Sequence, residues 1–235
     1  RHMTVKEEGV ITPVSFRLEG ELEANPQAIR LLKAFLGDCL SSKGLPLYVG
    51  EKGDRAVQAR KCQIPNQLEG YYLEITKKGI TLAGNDERGT YYAVRTFMQL
   101  FRDNQLPQVE IRDYPDVRFR GVVEGFYGTP WSHEARLRQL QFYGENKLNT
   151  YIYGPKDDPY HSSPNWRKPY PEKDAVRLAE LVKVANENEV DFVWAIHPGK
   201  DIQWNTTDRD LLMDKFEHMY DLGVRSFAVF FDDIS

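Results

Sequence analysis

The sequence predicts an α/β protein, in which an N-terminal α+β domain precedes the first half of an eight-stranded β/α barrel. Two observations carry this prediction. After about residue 115, apolar strand-like runs alternate with amphipathic helical segments, which is typical of a parallel sheet. Before that point, a hairpin signal and two helical segments occur without such alternation. Asp113-Tyr-Pro-Asp116 indicates a turn or linker, so we place the domains at residues 4–114 and 115–235.

The elements of the N-terminal domain follow from apolar spacing and turn residues. Ile29, Leu32 and Leu36 recur at helical spacing after Pro26, a residue favoured in the first turn of a helix. Lys77-Lys-Gly79 separates two strand-like runs and predicts a hairpin. The predicted order is a strand at 14–18, a helix from 26, hairpin strands at 71–76 and 80–83, a helix at about 89–101 and a strand at 109–112.

The second domain shows four strand signals with helices between them. Ser132 is a helix-capping residue, and Glu134 lies in the following first turn, where a negative charge is favoured. The predicted strands are 121–125, 149–154, 191–197 and 226–231, and the helices begin near 133, 172 and 207. Four units make half of a barrel and would leave two apolar edge strands exposed. We therefore expect a chain truncated after strand 4, with the other half supplied by a missing segment or another chain.

The most informative residues are Asp232 and Asp233, which follow the apolar run that ends at Phe231. Enzymes of the β/α-barrel type place their chemistry at the carboxyl ends of the strands. Neighbouring side chains on a strand point to opposite faces, so both acids reach one substrate only if Asp232 ends the strand and Asp233 begins the loop. One carboxyl can then hold a proton while the other stays charged, as glycosidic cleavage requires. A solvated turn is the alternative interpretation.

Other polar residues at strand ends have competing interpretations. Asp157-Asp158 lies between prolines, which favours a structural turn. Glu124 could supply a second carboxylate. His197 has no second His or Cys at ligand spacing, so we expect a core or hydrogen-bonded histidine and no metal site. Lys156, beside tyrosines, suits a neutral polyhydroxylated ligand.

Composition excludes several classes of partner. The net charge of −4 offers no general attraction to nucleic acid or to an anionic membrane. Apolar runs are too short for a membrane span, and two cysteines are too few for a disulfide framework. Arg1-His2-Met3 is typical of a cloning scar, so the absence of a signal peptide does not bear on export.

Three motifs make the sequence resemble glycoside hydrolase family 84, and within it the bacterial, Bacteroides-type O-GlcNAcase-like β-N-acetylglucosaminidases. They are residues 120–132 (Arg-Gly-Val-Val-Glu-Gly-Phe-Tyr-Gly-Thr-Pro-Trp-Ser), residues 151–161 (Tyr-Ile-Tyr-Gly-Pro-Lys-Asp-Asp-Pro-Tyr-His) and residues 230–235 (Phe-Phe-Asp-Asp-Ile-Ser). Residues 85–93 add to the similarity. The resemblance implies a hexosaminidase-like N-terminal domain before a TIM (β/α)8 barrel that carries the active site.

The resemblance also implies a retaining mechanism in which the 2-acetamido group of the substrate is the nucleophile and an oxazoline forms. Asp233 is then the general acid and base, and Asp232 orients the acetamide. Gly125 and Lys156 are expected to contact sugar hydroxyls, and Tyr127 to line the acetamide side. No cofactor is expected, and the expected partner is a glycoprotein or glycoconjugate that bears N-acetylglucosamine (GlcNAc).

Three functions stay open at this point. The first is removal of O-linked GlcNAc from proteins. The second is hyaluronidase-like cleavage of a GlcNAc polysaccharide, and the third is a truncated fragment that binds GlcNAc without cleaving it. Export to the periplasm or medium of a bacterium is the expectation for location.

Overall fold

The computed structural model describes residues 1–232, which divide into one compact unit at Arg1–Arg118 and another that begins at Phe119. The first unit contains six strands and three α-helices. In chain order these are β1 (His2–Ile11), β2 (Phe16–Glu19), α1 (Pro26–Leu36), β3 (Leu45–Glu51), α2 (Arg55–Gln58), β4 (Tyr71–Thr76), β5 (Gly79–Gly84), α3 (Glu87–Leu100) and β6 (Leu106–Asp113).

The strands of the first unit form one mixed sheet in the order β1-β6-β4-β5-β3-β2. β4 and β5 are the predicted hairpin, paired antiparallel from Tyr71 opposite Gly84 to Thr76 opposite Gly79. β1 and β3 are absent from the sequence-based prediction. β1 is exposed along nearly its whole length and pairs with β6 at the edge of the sheet, so it has no alternation of apolar and polar residues to reveal it.

The core of the first unit packs α1 and α3 against the sheet. Leu32 of α1, Phe97 of α3 and Phe16 of β2 have no exposed surface. α1 and α3 each begin at a side chain that accepts hydrogen bonds from backbone N–H groups of the first turn. Asn25 accepts hydrogen bonds from the N–H groups of Gln27 and Ala28, and Asp86 caps α3 through the N–H of Gly89.

The second unit alternates strands and helices up to residue 232, as the sequence predicted. Its elements are β7 (Gly121–Glu124), α4 (His133–Glu145), β8 (Thr150–Tyr153), α5 (Glu172–Glu187), β9 (Asp191–Ile196), α6 (Thr206–Asp221) and β10 (Ser226–Val229). The strands lie in the order β7-β8-β9-β10, and every neighbouring pair is parallel. This is the sheet of a partial β/α barrel.

One face of this sheet is covered by helices and carries the core of the unit. Tyr151 of β8 and Phe192 and Trp194 of β9 are buried on that face. Val123 of β7 points to the other face and is 52% exposed. Parallel sheets in α/β proteins are usually covered on both faces, so this second face is the one that the interior of a closed barrel would cover.

Local sequence signals place the helix ends well. Ser132 Oγ accepts a hydrogen bond from Ala135 N at 3.2 Å, as its capping position predicted. Gly223 follows α6 with φ of +100°, a conformation that glycine adopts without the steric cost of a Cβ. The fourth strand is shorter than predicted. The ladder ends at Val229, with one further hydrogen bond from Phe230 N to Ile196 O at 2.7 Å.

Candidate active site

The carboxyl ends of the four parallel strands lie along one edge of the sheet and bring distant residues together. Lys156 follows β8, His197 follows β9, and Asp232 follows β10. Tyr127 lies in the segment after β7. These four side chains form a connected cluster, which we call the strand-end cluster. It unites three of the five predicted site residues.

Asp232 is the centre of the strand-end cluster. Lys156 Nζ donates a hydrogen bond to Asp232 Oδ2 at 3.2 Å. His197 Nε2 lies 2.7 Å from the main-chain oxygen of Asp232 and 3.4 Å from Oδ1. The Asp232 side chain stays 54% exposed, so its carboxylate is open to an approaching ligand while cationic and hydrogen-bonding groups hold it.

The surroundings of Asp232 favour its charged form. Partial burial acts to raise its pKa, but the hydrogen bond from Lys156, a local backbone hydrogen bond and the charge of Lys156 together outweigh this, with a smaller contribution from His197. The net result is a pKa below the usual aspartate value. Asp232 is therefore an anion at neutral pH, suited to accepting a hydrogen bond from a substrate N–H and unsuited to donating a proton.

Tyr127 and Gly125 are the other predicted site residues that the structure describes. The Lys156 ammonium lies 5.1 Å from the centroid of the Tyr127 ring, within cation–π range, and Tyr127 is 75% exposed. Gly125 directly follows β7 at the same edge of the sheet. A Cβ on Gly125 would meet Val123 Cγ1 at 3.6 Å and Gly154 O at 3.8 Å. These are ordinary contacts, so protein packing alone does not require a glycine there.

The predicted geometry of the acid pair changes in one respect. Asp232 lies in a turn, three residues after the last residue of β10, and does not occupy the last rung of the strand. The apolar run Phe230-Phe231 lengthened the predicted strand, but the parallel ladder with β9 stops before it. Asp233, the predicted general acid, lies outside the described residues.

Glu124 ends β7 and is a buried structural carboxylate rather than a second acid of the site. It is 1% exposed and receives hydrogen bonds from Arg136 Nε at 2.9 Å and Arg136 Nη2 at 2.8 Å. The Tyr151 hydroxyl and Trp131 N also donate to it. These donors fill the oxygen atoms of Glu124 on the helix-covered side of the sheet.

Asp157 and Asp158 also match the structural interpretation. Asp158 is buried and accepts hydrogen bonds from the hydroxyls of Tyr153 at 2.8 Å and Tyr170 at 2.7 Å. Its Oδ1 accepts from Tyr160 N at 2.7 Å, a local turn contact. Asp157 is exposed beside a cleft of about 480 Å³ between the loop after β8 and helices α4 and α5.

His197 is the member of the strand-end cluster that the sequence interpretation undervalued. It is 5% exposed and hydrogen-bonded, as expected of a structural histidine. Its partner, however, is Asp232, which connects it to the site. A polar residue directly after a buried strand was the available signal, although its partner lies 35 positions away in the chain.

Residues 1–232 contain neither a candidate metal centre nor a candidate membrane-spanning helix. Within that range, no group of three or more His, Cys, Asp or Glu side chains is arranged to hold a metal ion. None of the helices in the same range combines the length and the apolar character needed to cross a bilayer.

The fold and the strand-end cluster define the class: a β/α-barrel type of protein with a polar site at the carboxyl edge of its parallel sheet. Family models match both parts of the chain. Residues 120–235 match the model described as beta-N-acetylglucosaminidase, and residues 7–114 match glycosyl hydrolase family 20, domain 2. With the relatives below, these matches establish that the chain belongs to the O-GlcNAcase-like glycoside hydrolase family 84.

Relatives extend this result. Protein O-GlcNAcase from Rattus norvegicus and from Mus musculus are each 44% identical to the chain over 115 residues. The match spans 48% of this chain and 12% of each mammalian protein. The solved structure of CpGH84B superposes with a TM-score of 0.92 at 41% identity, and that of CpGH84D with 0.89 at 25%. Both cover all of this chain, which spans 43% and 44% of theirs.

Proposed function

We propose that the protein is a retaining exo-β-N-acetylglucosaminidase that removes O-linked GlcNAc from proteins or other glycoconjugates. The observation that carries the proposal is the exposed Asp232 carboxylate, held as an anion by Lys156 at 3.2 Å directly before Asp233. A retaining hydrolase needs a nucleophile and a proton donor. As the resemblance to family 84 implies, this nucleophile is the 2-acetamido group of the substrate, with Asp233 as the acid and Asp232 as the residue that orients the acetamide.

In the first step, the acetamide oxygen of the substrate attacks the anomeric carbon. The new C–O bond closes an oxazoline ring, and the glycosidic C–O bond breaks. Asp233 gives its proton to the departing oxygen of the aglycone. Asp232 accepts the hydrogen bond of the acetamide N–H, which orients the nucleophile and stabilises the positive charge that develops on the oxazoline.

In the second step, Asp233 acts as the base and takes a proton from water. The water oxygen attacks the anomeric carbon from the face that the aglycone has left. The bond to the acetamide oxygen breaks and the acetamide is restored, so two inversions give net retention. Lys156 and Gly125 contact sugar hydroxyls, and Tyr127 lines the acetamide side of the pocket.

The proposal includes the remaining half of the barrel, from a further segment or from another chain, as the source of more sugar contacts. Two observations support this part. The chain spans 43% of CpGH84B, and Val123 is half exposed on the sheet face that would line a barrel interior. Experiments on activity therefore use the protein with its complete barrel.

The acid–base assignment is tested with aryl β-GlcNAc substrates that differ in leaving-group pKa. Asp233→Asn should abolish turnover of a poor leaving group but retain much of the first step with a dinitrophenyl group, which leaves without a proton. Asp232→Asn should lower kcat by about 10²–10³-fold for both substrates, because it weakens the contact to the acetamide N–H. Near-normal activity of either variant on the poor leaving group would overturn the assignment.

The role of the acetamide is tested on the substrate itself. Replacing its methyl hydrogens stepwise by fluorine makes the oxygen a weaker nucleophile, so kcat should fall with each fluorine. An unchanged kcat would exclude the oxazoline route. Release of GlcNAc from a glycopeptide, compared with depolymerisation of hyaluronan, decides between the two enzymatic functions. Binding of GlcNAc in a calorimeter without any hydrolysis would instead indicate a non-catalytic binding protein.

A further inference from the structure

His197 connects two segments of the strand-end cluster that are far apart in the chain. Its side chain contacts Asp232 after β10, with Nε2 2.7 Å from the main-chain oxygen. Its backbone N donates a hydrogen bond to His161 O at 2.7 Å, and a parallel bridge joins Ser162 to His197. His161 and Ser162 lie in the same loop as Lys156, between β8 and α5. One residue thereby links the two partners of the Lys156–Asp232 ion pair.

The acceptor on Asp232 fixes the protonation of the His197 ring. A carbonyl oxygen only accepts hydrogen bonds, so Nε2 must carry a hydrogen whether the imidazole is neutral or charged. Because the ring is 5% exposed, water does not readily replace this contact. The bond is therefore a fixed constraint on the backbone at Asp232.

The bonded carbonyl has a special place in the covalent structure. It belongs to the peptide group that joins Asp232 to Asp233, and a peptide group is planar. Since β10 ends at Val229, the strand ladder does not hold this peptide in place. A side chain from the neighbouring strand end does so instead.

We infer that His197 is a positioning residue, which acts through the Asp232 carbonyl to hold the Asp232 carboxylate in place and couples it to the Lys156 loop. The inference rests on the proposed function for its kinetic consequences only. His197 does not contact the sugar, and its effect is carried by the backbone that it holds. Its removal should therefore lower catalysis without an equal loss of substrate binding.

The matched variants are His197→Leu, which removes the donor, and His197→Gln, whose amide N–H can reach the position of Nε2. His218→Gln is the control, because His218 lies within hydrogen-bond distance of a main-chain group elsewhere in the unit, Tyr170 N at 3.3 Å. His197→Leu should lower kcat by about 10²-fold, the size expected for misplaced catalytic groups, with KM changed by less than about threefold. His197→Gln should restore most of kcat, and His218→Gln should match the parent.

A structural role alone makes a different prediction. If His197→Leu and His197→Gln lose activity only in proportion to the folded fraction measured by circular dichroism, the inference is wrong. Equal losses of kcat in the His218→Gln control would also overturn it. All three variants and the parent are prepared in the same way and assayed with the same aryl β-GlcNAc substrate.

A spectroscopic arm separates failure of this inference from failure of the proposed function. In ¹⁵N-labelled protein, two-bond imidazole correlations should show hydrogen on Nε2 of His197 throughout the pH range in which the protein is folded. Loss of the donor in His197→Leu should shift the backbone amide resonance of Asp233. The reason is that the Asp232 carbonyl, which belongs to the same peptide group as that amide, loses a hydrogen bond. These signals require no hydrolysis. A His197 ring that carries hydrogen only on Nδ1 would refute the positioning role even in an active enzyme.

Discussion

Glu124 and Asp232 both follow apolar runs at the carboxyl edge of the same parallel sheet, yet their surroundings are opposite. Glu124 is 1% exposed, and Arg136, Tyr151 and Trp131 occupy its oxygens. Asp232 is 54% exposed, and one of its carboxylate oxygens accepts a hydrogen bond from Lys156. The position at a strand end is common to both. The number of protein donors already bound decides which carboxylate is available to a ligand.

The difference also follows from the faces of the sheet. Glu124 points towards the helix layer, where an unpaired carboxylate would be costly and a bidentate arginine compensates for its burial. Asp232 lies in an exposed turn beyond the end of β10, where solvent and Lys156 support its charge. A sequence shows both residues as acids at strand ends, so only the three-dimensional arrangement separates the buried, fully paired carboxylate from the exposed one.

The largest expected effect is on stability and comes from Glu124→Ala. This variant leaves the Arg136 guanidinium buried without its carboxylate, which should cost about 3–5 kcal/mol of unfolding free energy. Asp232→Ala, at an exposed site, should change the unfolding free energy by less than about 0.5 kcal/mol. Urea unfolding of the two variants measures both values. Similar losses for both would break the distinction between a structural and an available carboxylate.

A third carboxylate sharpens the comparison, because Glu51 at the end of β3 is partly buried near a second acid. Burial, with the neighbouring Asp54, raises the pKa of Glu51 to about 7. The unfolded chain loses this proton near pH 4.5, whereas the folded chain keeps it until about pH 7, so stability falls as the pH rises through that window. Glu51→Gln keeps an acceptor for Asn25 N and removes the charge.

The stability gain of Glu51→Gln should therefore depend on pH. It should be near zero at pH 4 and reach on the order of 2 kcal/mol at pH 8, measured by urea unfolding of parent and variant. Glu217→Gln, at an exposed position of α6, is the control for loss of a carboxylate. A constant difference between pH 4 and pH 8 would contradict the raised pKa.

The smallest expected effect concerns the partner of Asp232. Lys156→Met removes the hydrogen bond and charge that lower the pKa of Asp232, so this pKa should rise towards its usual value. Activity should then decline at a higher pH on the acidic side of the pH–rate profile, and kcat/KM at pH 7 should fall by about 10-fold. Lys173→Met, an exposed lysine on α5, should leave the profile of the parent unchanged. An unshifted acidic limb in Lys156→Met would show that Lys156 does not control the charge of Asp232.

Local patterns predicted much of the fold. The alternation of strands and helices after residue 115, the hairpin at Lys77-Lys-Gly79 and the cap at Ser132 each depend on neighbours in sequence, and each is present. β1 escaped prediction because its exposed residues carry no core periodicity. The end of β10 was misplaced because Phe230 and Phe231 are apolar for reasons of packing, as in the stacking of Phe231 on Trp204.

The residues of the site show the same difference between those that local patterns predict and those whose roles depend on tertiary contacts. Lys156, Tyr127 and Asp232 came from motifs and strand ends, and the structure brings them together. The structural role of Glu124 depends on Arg136, twelve positions away on a helix face, and the role of His197 depends on the peptide after Asp232. Such pairings are decided by tertiary contacts, which single-sequence patterns do not encode.

The order of strands in the two sheets has a consequence for synthesis on the ribosome. In the first unit, His2 of β1 pairs with Arg112 of β6, so β1 emerges roughly 110 residues before its partner exists and cannot complete the sheet until then. In the second unit, each strand from β8 onward pairs with the strand made just before it. Its β/α units can join the growing sheet one at a time, and Asp232 meets Lys156 and His197 only when the last of them has been made.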